Sequence, residues 1–121
     1  MATAPNPPKQ SIFLKRGSTF SLAGYASLPD GTWTATSELK NNLGELVAEL
    51  DVTLESPTPP DTAWPLLLYK DATDTATWPL GPLSCDIRFV YSNTVIYSPT
   101  FIVNIVLEVT DPQPTLVLQG P

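Results

Sequence analysis

Apolar and polar residues alternate with period two through most of the interior of the chain. Trp33, Ala35, Ser37 and Leu39 alternate with Thr32, Thr34, Thr36 and Glu38. Leu46, Ala48, Leu50, Val52 and Leu54 alternate with Val47, Glu49, Asp51, Thr53 and Glu55, and Leu83, Cys85, Ile87, Phe89 and Tyr91 with Ser84, Asp86, Arg88 and Val90. Successive strand residues point to opposite faces, so each run predicts a strand buried on one side and wet on the other. Phe20 and Leu22 read as a short strand after Arg16-Gly17. Phe101, Val103, Ile105 and Leu107 read as the inner stripe of a long final strand from Thr94 to about Val109. Its outer stripe keeps Ile96, Ile102 and Val106, a hazard on a free monomer and an interface in an assembly.

Turn chemistry separates the runs. Pro29-Asp30-Gly31 predicts a tight turn, Asn41-Asn42-Leu43-Gly44 a hairpin loop and Ser92-Asn93 a short reversal. Asp71–Thr77 is the one plausible helical turn, capped by Asp71 and stopped by Trp78-Pro79. About seven strands with almost no helix predict an all-β fold, an immunoglobulin-like antiparallel β-sandwich. Ala63-Trp64-Pro65-Leu66 and Thr77-Trp78-Pro79-Leu80 are a near-repeat too short for a solenoid, and each Trp is expected to cap one end of the core.

Proline marks the ends. Pro5, Pro7 and Pro8 fall in the first residues and Pro112, Pro114 and Pro121 in the last, with Pro57, Pro59 and Pro60 between. Proline fixes φ and removes a backbone donor, so these stretches favour extended polyproline conformations. The expected organisation is an N-terminal arm over 1–11, a sandwich over 12–110 and a C-terminal arm over 111–121. Apolar residues on such an arm have no core of their own to enter. Pro5, Pro7, Pro8, Lys9, Leu116, Val117 and Leu118 are therefore the expected partner contacts.

Composition narrows the chemistry. The 121 residues hold no histidine and one cysteine. That excludes Ser-His-Asp and Cys-His pairs, imidazole acid-base work, His metal ligands and an internal disulfide. Glu45, Glu49, Asp51 and Glu55 crowd one strand, but acids on a wet strand face are ordinarily solvated charge. Asp61, Asp71 and Asp74 lack the spacing of a calcium loop. Cys85 lies on an inward stripe and is expected to behave as a small buried hydrophobe. The three tryptophans and the tyrosines Tyr25, Tyr69, Tyr91 and Tyr97 could form a sugar platform, although core packing is the stronger expectation. No catalytic, metal or cofactor residue is assigned.

The formal net charge is −6. Residues 1–29 hold Lys9, Lys15 and Arg16 and no acid, whereas residues 30–121 hold all twelve acids and three bases. Six scattered bases make no phosphate-binding patch, so nucleic acid is not an expected partner. A weakly basic first segment on an acidic body suits docking onto a neighbouring copy or another partner. No signal-peptide-like or membrane-spanning apolar run is visible, and neither a membrane partner nor secretion is expected.

Three segments carry a resemblance. Leu14-Lys15-Arg16-Gly17-Ser18-Thr19-Phe20, Asn41-Asn42-Leu43-Gly44-Glu45-Leu46-Val47-Ala48, and Thr75-Ala76-Thr77-Trp78-Pro79-Leu80-Gly81-Pro82-Leu83-Ser84-Cys85-Asp86-Ile87 follow in a characteristic order. With Tyr97–Phe101 and Val109-Thr110, they resemble small immunoglobulin-like virion proteins of tailed bacteriophages, similar to the N-terminal domains of phage baseplate upper proteins. The pattern spans roughly residues 12–110. It departs at Asp30-Gly31-Thr32-Trp33, where members often carry Asp-Leu-Thr-Gly, and in the Pro-rich arms. The resemblance implies a start of the second strand near Phe20, a central hairpin near Asn41, and a helical turn leading through Trp-Pro-x-Gly into a strand ending in Asp-Ile. It implies a non-enzymatic structural protein of the virion, assembled in the host cytoplasm, whose partners are other phage structural proteins and copies of itself. A tail or baseplate adaptor is the leading expectation. A capsid decoration protein and a carbohydrate-binding module are the alternatives.

Overall fold

A computed structural model describes residues 10–109. Eight strands follow in order: β1 (Ser11–Lys15), β2 (Phe20–Ser27), β3 (Thr34–Lys40), β4 (Leu46–Leu54), β5 (Ala63–Lys70), β6 (Gly81–Tyr91), β7 (Thr94–Tyr97) and β8 (Phe101–Val106). One short helix, α1 (Ala72–Thr75), precedes β6. The fold is all-β, as the alternation predicts. Hydrogen-bonded neighbours run β1-β8-β6-β3-β4-β5-β2, with β7 paired to β6.

That path is continuous because β4 belongs to two layers. Its first half, Leu46 to Leu50, pairs with β3, and its second half, Asp51 to Leu54, pairs with β5. One layer is therefore β1-β8-β6-β3 and the other β5-β2, with β4 crossing between them. This is immunoglobulin-like connectivity with one strand serving both sheets. The expectation of a wholly antiparallel fold needs one correction: β1 runs parallel to β8, Ser11 opposite Ile102 through Lys15 opposite Val106. Strand β1 also begins one residue inside the arm expected over 1–11, and the Gln10 carbonyl already accepts from Ile102 N–H.

The core lies between the layers. Phe20, Leu39, Leu68, Leu83, Val103 and Ile105 are buried essentially completely, all but Leu68 on the inward stripes that alternation assigns. Each such side chain contributes about 1.5–3 kcal/mol relative to exposure. Two local irregularities shift the stripes. Between Leu39 and Lys40 the β3–β4 register slips, so Ala48 opposes Leu39 while Leu46 opposes Lys40. The extra residue, Val47, turns toward the core and Leu46 stays exposed, the reverse of the expected order.

The second irregularity divides the long last strand. β7 and β8 both return along β6, Arg88 opposite Tyr97 and Cys85 opposite Phe101, offset by one residue across Ser98–Thr100. There the Ser98 hydroxyl accepts from Ile87 N–H at 2.9 Å, where a strand residue would present a carbonyl. The offset exchanges the faces. Ile96 opposes buried Phe89 and packs against the core, so it does not join Ile102 and Val106 in an outer stripe. Leu107, expected on the inner stripe, lies past the end of β8 and is exposed.

The ends of the sandwich are closed differently. Lys15-Arg16-Gly17-Ser18 forms the turn joining β1 to β2, with Ser18 N–H donating to Lys15 O at 3.0 Å. Gly17 supplies the φ of +85° that the third position of such a turn requires. Behind it, the fully buried Thr75 hydroxyl donates to Ser18 O at 2.6 Å, and Trp78 packs 6.1 Å from the Phe20 ring. Asp71 caps α1 by accepting from Asp74 N–H at 3.0 Å, which accounts for this acid without a cation. At the other end of β2, Trp64 Nε1 donates to Leu28 O at 3.2 Å, and Trp33 Nε1 to Pro29 O at 2.8 Å. The two Trp-Pro sequences thus cap opposite ends of the core from unrelated local structures, β5 and the segment after α1.

Candidate functional site

Strands β1 and β2 are consecutive in the chain yet stand at opposite ends of the strand path. The turn at Arg16-Gly17 holds them together at one end. Away from it they diverge into different layers, and no strand among the described residues pairs with their outer edges. Between them the sandwich is open. A groove of about 710 Å³ runs there, with Leu22, Leu66, Leu68 and Ile87 as its floor and Ile12, Tyr25 and Phe101 along its sides.

The groove exists because inward-facing side chains run out. Phe20, Leu22, Gly24 and Ala26 form the inner stripe of β2, opposite Lys70, Leu68, Leu66 and Trp64 on β5. At the third of these positions there is no side chain. A Cβ built on Gly24 meets no atom within 4 Å, and its φ lies outside the left-handed region, so a notch is left rather than a close approach. Ile12, Leu22, Leu66 and Phe101 consequently face inward but remain half-buried, packed on the core from one side only. The Ser98–Thr100 offset forms the mouth, where Pro99 sits beside Gln10 and Phe101.

Chemistry elsewhere is already spoken for. Cys85 is buried on β6, its Sγ 3.2 Å from Ser37 Oγ, which donates to Asp86 O at 2.6 Å. Burial pushes the thiol up to about 11 against the opposing Ser37 hydrogen bond, and the Asp86 charge adds to the rise. A thiol so placed is protonated at neutral pH and is no nucleophile. Arg16 pairs with Glu108 through Nε and Nη2, both at 3.2 Å, tying the β1–β2 turn to the chain beyond β8. The Arg16 hydrogen bond holds the Glu108 carboxyl below its ordinary value.

Glu49 and Asp51 on one side of β4, and Glu55 just past its end, are exposed, as expected of solvated charge. The register adds a row that one-strand alternation does not reveal: Asp86, Glu38 and Glu49 face one another across β6, β3 and β4. Lys40 and Arg88 lie one step along each way on the same face and offset the charge. The aromatic residues divide by type. All three tryptophans are buried, whereas Tyr25, Tyr69, Tyr91 and Tyr97 are exposed, against the expectation of core packing for most of them.

The expected partner contacts Pro5, Pro7, Pro8, Lys9, Leu116, Val117 and Leu118 lie outside the described residues. The groove was not among the expected sites. Its one sequence signal is Gly24, an isolated glycine within an apolar alternation, which suggests a bulge or a close backbone approach and here marks missing volume. Neither a protein-family model nor a curated protein sequence matches the chain.

Proposed function

We propose that this chain is a non-enzymatic structural protein of a tailed-phage virion, a tail- or baseplate-associated adaptor that assembles through its sandwich surface and terminal arms. The observation that carries the reading is the kind of surface the fold leaves open. Its groove is apolar and bounded by two strand edges that no strand among the described residues pairs, which suits docking of a polypeptide. Its single thiol is withdrawn into the core.

The segments that carry the resemblance also occupy the local structures it implies. β2 starts at Phe20, the β3–β4 hairpin turns at Asn41–Gly44, and α1 leads through Trp78-Pro79 to Gly81, the first residue of β6; the one departure is that β6 runs on to Tyr91, past the Asp86-Ile87 at which the resemblance ends the strand. A capsid decoration protein uses the same physics on a different part of the particle. The sugar-binding alternative has a place to be tested: Tyr97 stands exposed on the outer face beside Arg88, Asp86 and Glu38.

Gold labelling of tailed particles with an antibody to this chain tests the proposal. Label at the tail or baseplate supports it, label over the head favours decoration, and particles free of label refute both. Retention on a glycan array that Tyr97→Ala abolishes would transfer the function to carbohydrate recognition.

A further inference from the structure

We propose that the groove between β1 and β2 receives residues Thr115–Gln119 of a second copy of this chain, added as a strand along the edge of β2 that no strand among the described residues pairs. The inference deepens the assembly reading and rests on it only in requiring a multimer, not a phage particle.

The groove specifies its occupant. An added strand needs backbone N–H groups to pair with the edge and alternate apolar side chains to reach the floor. β2 offers four consecutive groove-lining residues, Leu22 to Tyr25, against Ile12 of β1 and the preceding Gln10, so the ladder belongs on β2. Of the two segments beyond the described residues, 1–9 carries Pro5, Pro7 and Pro8 and cannot supply a run of donors. Thr115-Leu116-Val117-Leu118-Gln119 is free of proline and charge, and its alternation sends Leu116 and Leu118 to one side. The notch at Gly24 leaves space for one such side chain, and the half-buried faces of Leu22, Leu66 and Phe101 offer it apolar contact.

Chain length points to a second copy. The described residues leave at the far end of β8, whereas the groove opens beside Phe101, where β8 begins. The six residues of β8 cover about 17 Å at roughly 3.3 Å per step. Thr110–Pro114 spans at most about 18 Å fully extended. Reversal would consume much of that, and the Pro112 and Pro114 stretch favours extended polyproline conformations. A neighbouring copy meets no such limit, and reciprocal exchange closes a two-fold dimer.

Complementation between two full-length variants tests this. Gly24→Trp fills the groove and keeps the C-terminal segment; the double variant Leu116→Asp, Leu118→Asp keeps the groove and spoils the segment. Sedimentation velocity is expected to show wild type as dimers or larger and each variant alone as a monomer. A mixture of the two variants is expected to form a one-to-one complex. A synthetic peptide of residues 111–120 is expected to bind the double variant at least tenfold more tightly than it binds Gly24→Trp. Circular dichroism matching wild type establishes that each variant is folded, and the peptide measurement stands even if Gly24→Trp is not, with Tyr25→Asp as the second groove variant. A monomeric wild type, a mixture that stays monomeric, or peptide binding indifferent to the groove overturns the proposal. A wild-type monomer whose C-terminal amides are protected from exchange overturns it in favour of insertion within one molecule. Labelled particles that still incorporate Gly24→Trp would remove the groove while leaving the virion reading intact.

Discussion

Replacing Thr75 with valine isolates one hydrogen bond at the closed end of the sandwich. The Thr75 side chain is fully buried, and its hydroxyl donates to Ser18 O at 2.6 Å while lying 3.2 Å from Ala72 O. Valine keeps the branched shape and removes the donor. The lost bond leaves the Ser18 carbonyl without this partner beneath the β1–β2 turn, a loss of about 1–3 kcal/mol. For a domain near 100 residues, each 1 kcal/mol lowers the melting temperature by about 4–8 °C. Urea unfolding is expected to show a lower midpoint with an unchanged slope, since the exposed surface is the same. Thr75→Ser retains the hydroxyl and gives up one methyl, about 0.8 kcal/mol, so it should fall between wild type and Thr75→Val. A Thr75→Val protein within about 0.5 kcal/mol of wild type, the range of neutral surface changes, would refute the claim that α1 pins this turn.

Two further predictions concern titrating groups. Arg16 lowers the Glu108 carboxyl from its ordinary 4.5, so the pair contributes stability above that value and loses it as pH falls through the lower folded value. Carboxyl-detected NMR titration should place the Glu108 midpoint lower in wild type than in Arg16→Gln, with added salt narrowing the gap; equal midpoints would contradict the pairing. With its pKa raised to about 11, Cys85 should react with a disulfide reagent at pH 8 at least about 100-fold more slowly when folded than in urea. Comparable rates would mean that the thiol is accessible.

The strands most legible in the sequence are those that carry no extra residue themselves. β3, and β6 as far as Phe89, keep alternation, and Leu39, Leu83, Cys85, Ile87 and Phe89 are buried where period two places them; only Tyr91 at the end of β6 departs. Legibility fails where pairing geometry intervenes. Nothing in the sequence of β4 announces that Val47 will bulge inward, because a bulge is a relation between two strands. Ile96 changes face for the same reason, through the offset at Ser98–Thr100. β1 is short, and its apolar residues Ile12, Phe13 and Leu14 are contiguous; β5 hides behind Pro65 and the run Leu66-Leu67-Leu68. Neither shows clean alternation. The groove was least legible, since it arises from two edge strands parting and one side chain missing. Only the glycine is written in the sequence.

The parallel pairing of β1 with β8 has a mechanical consequence. The residue that opens β1 and the residue that closes β8 lie at opposite ends of one ladder. Tension applied through the flanking chain, pulling Gln10 one way and Val106 the other, loads every rung of that ladder together in shear, whereas a hairpin pulled at its open end unzips one bond at a time. A subunit strung between neighbours by its two termini would then resist extension through its strongest direction.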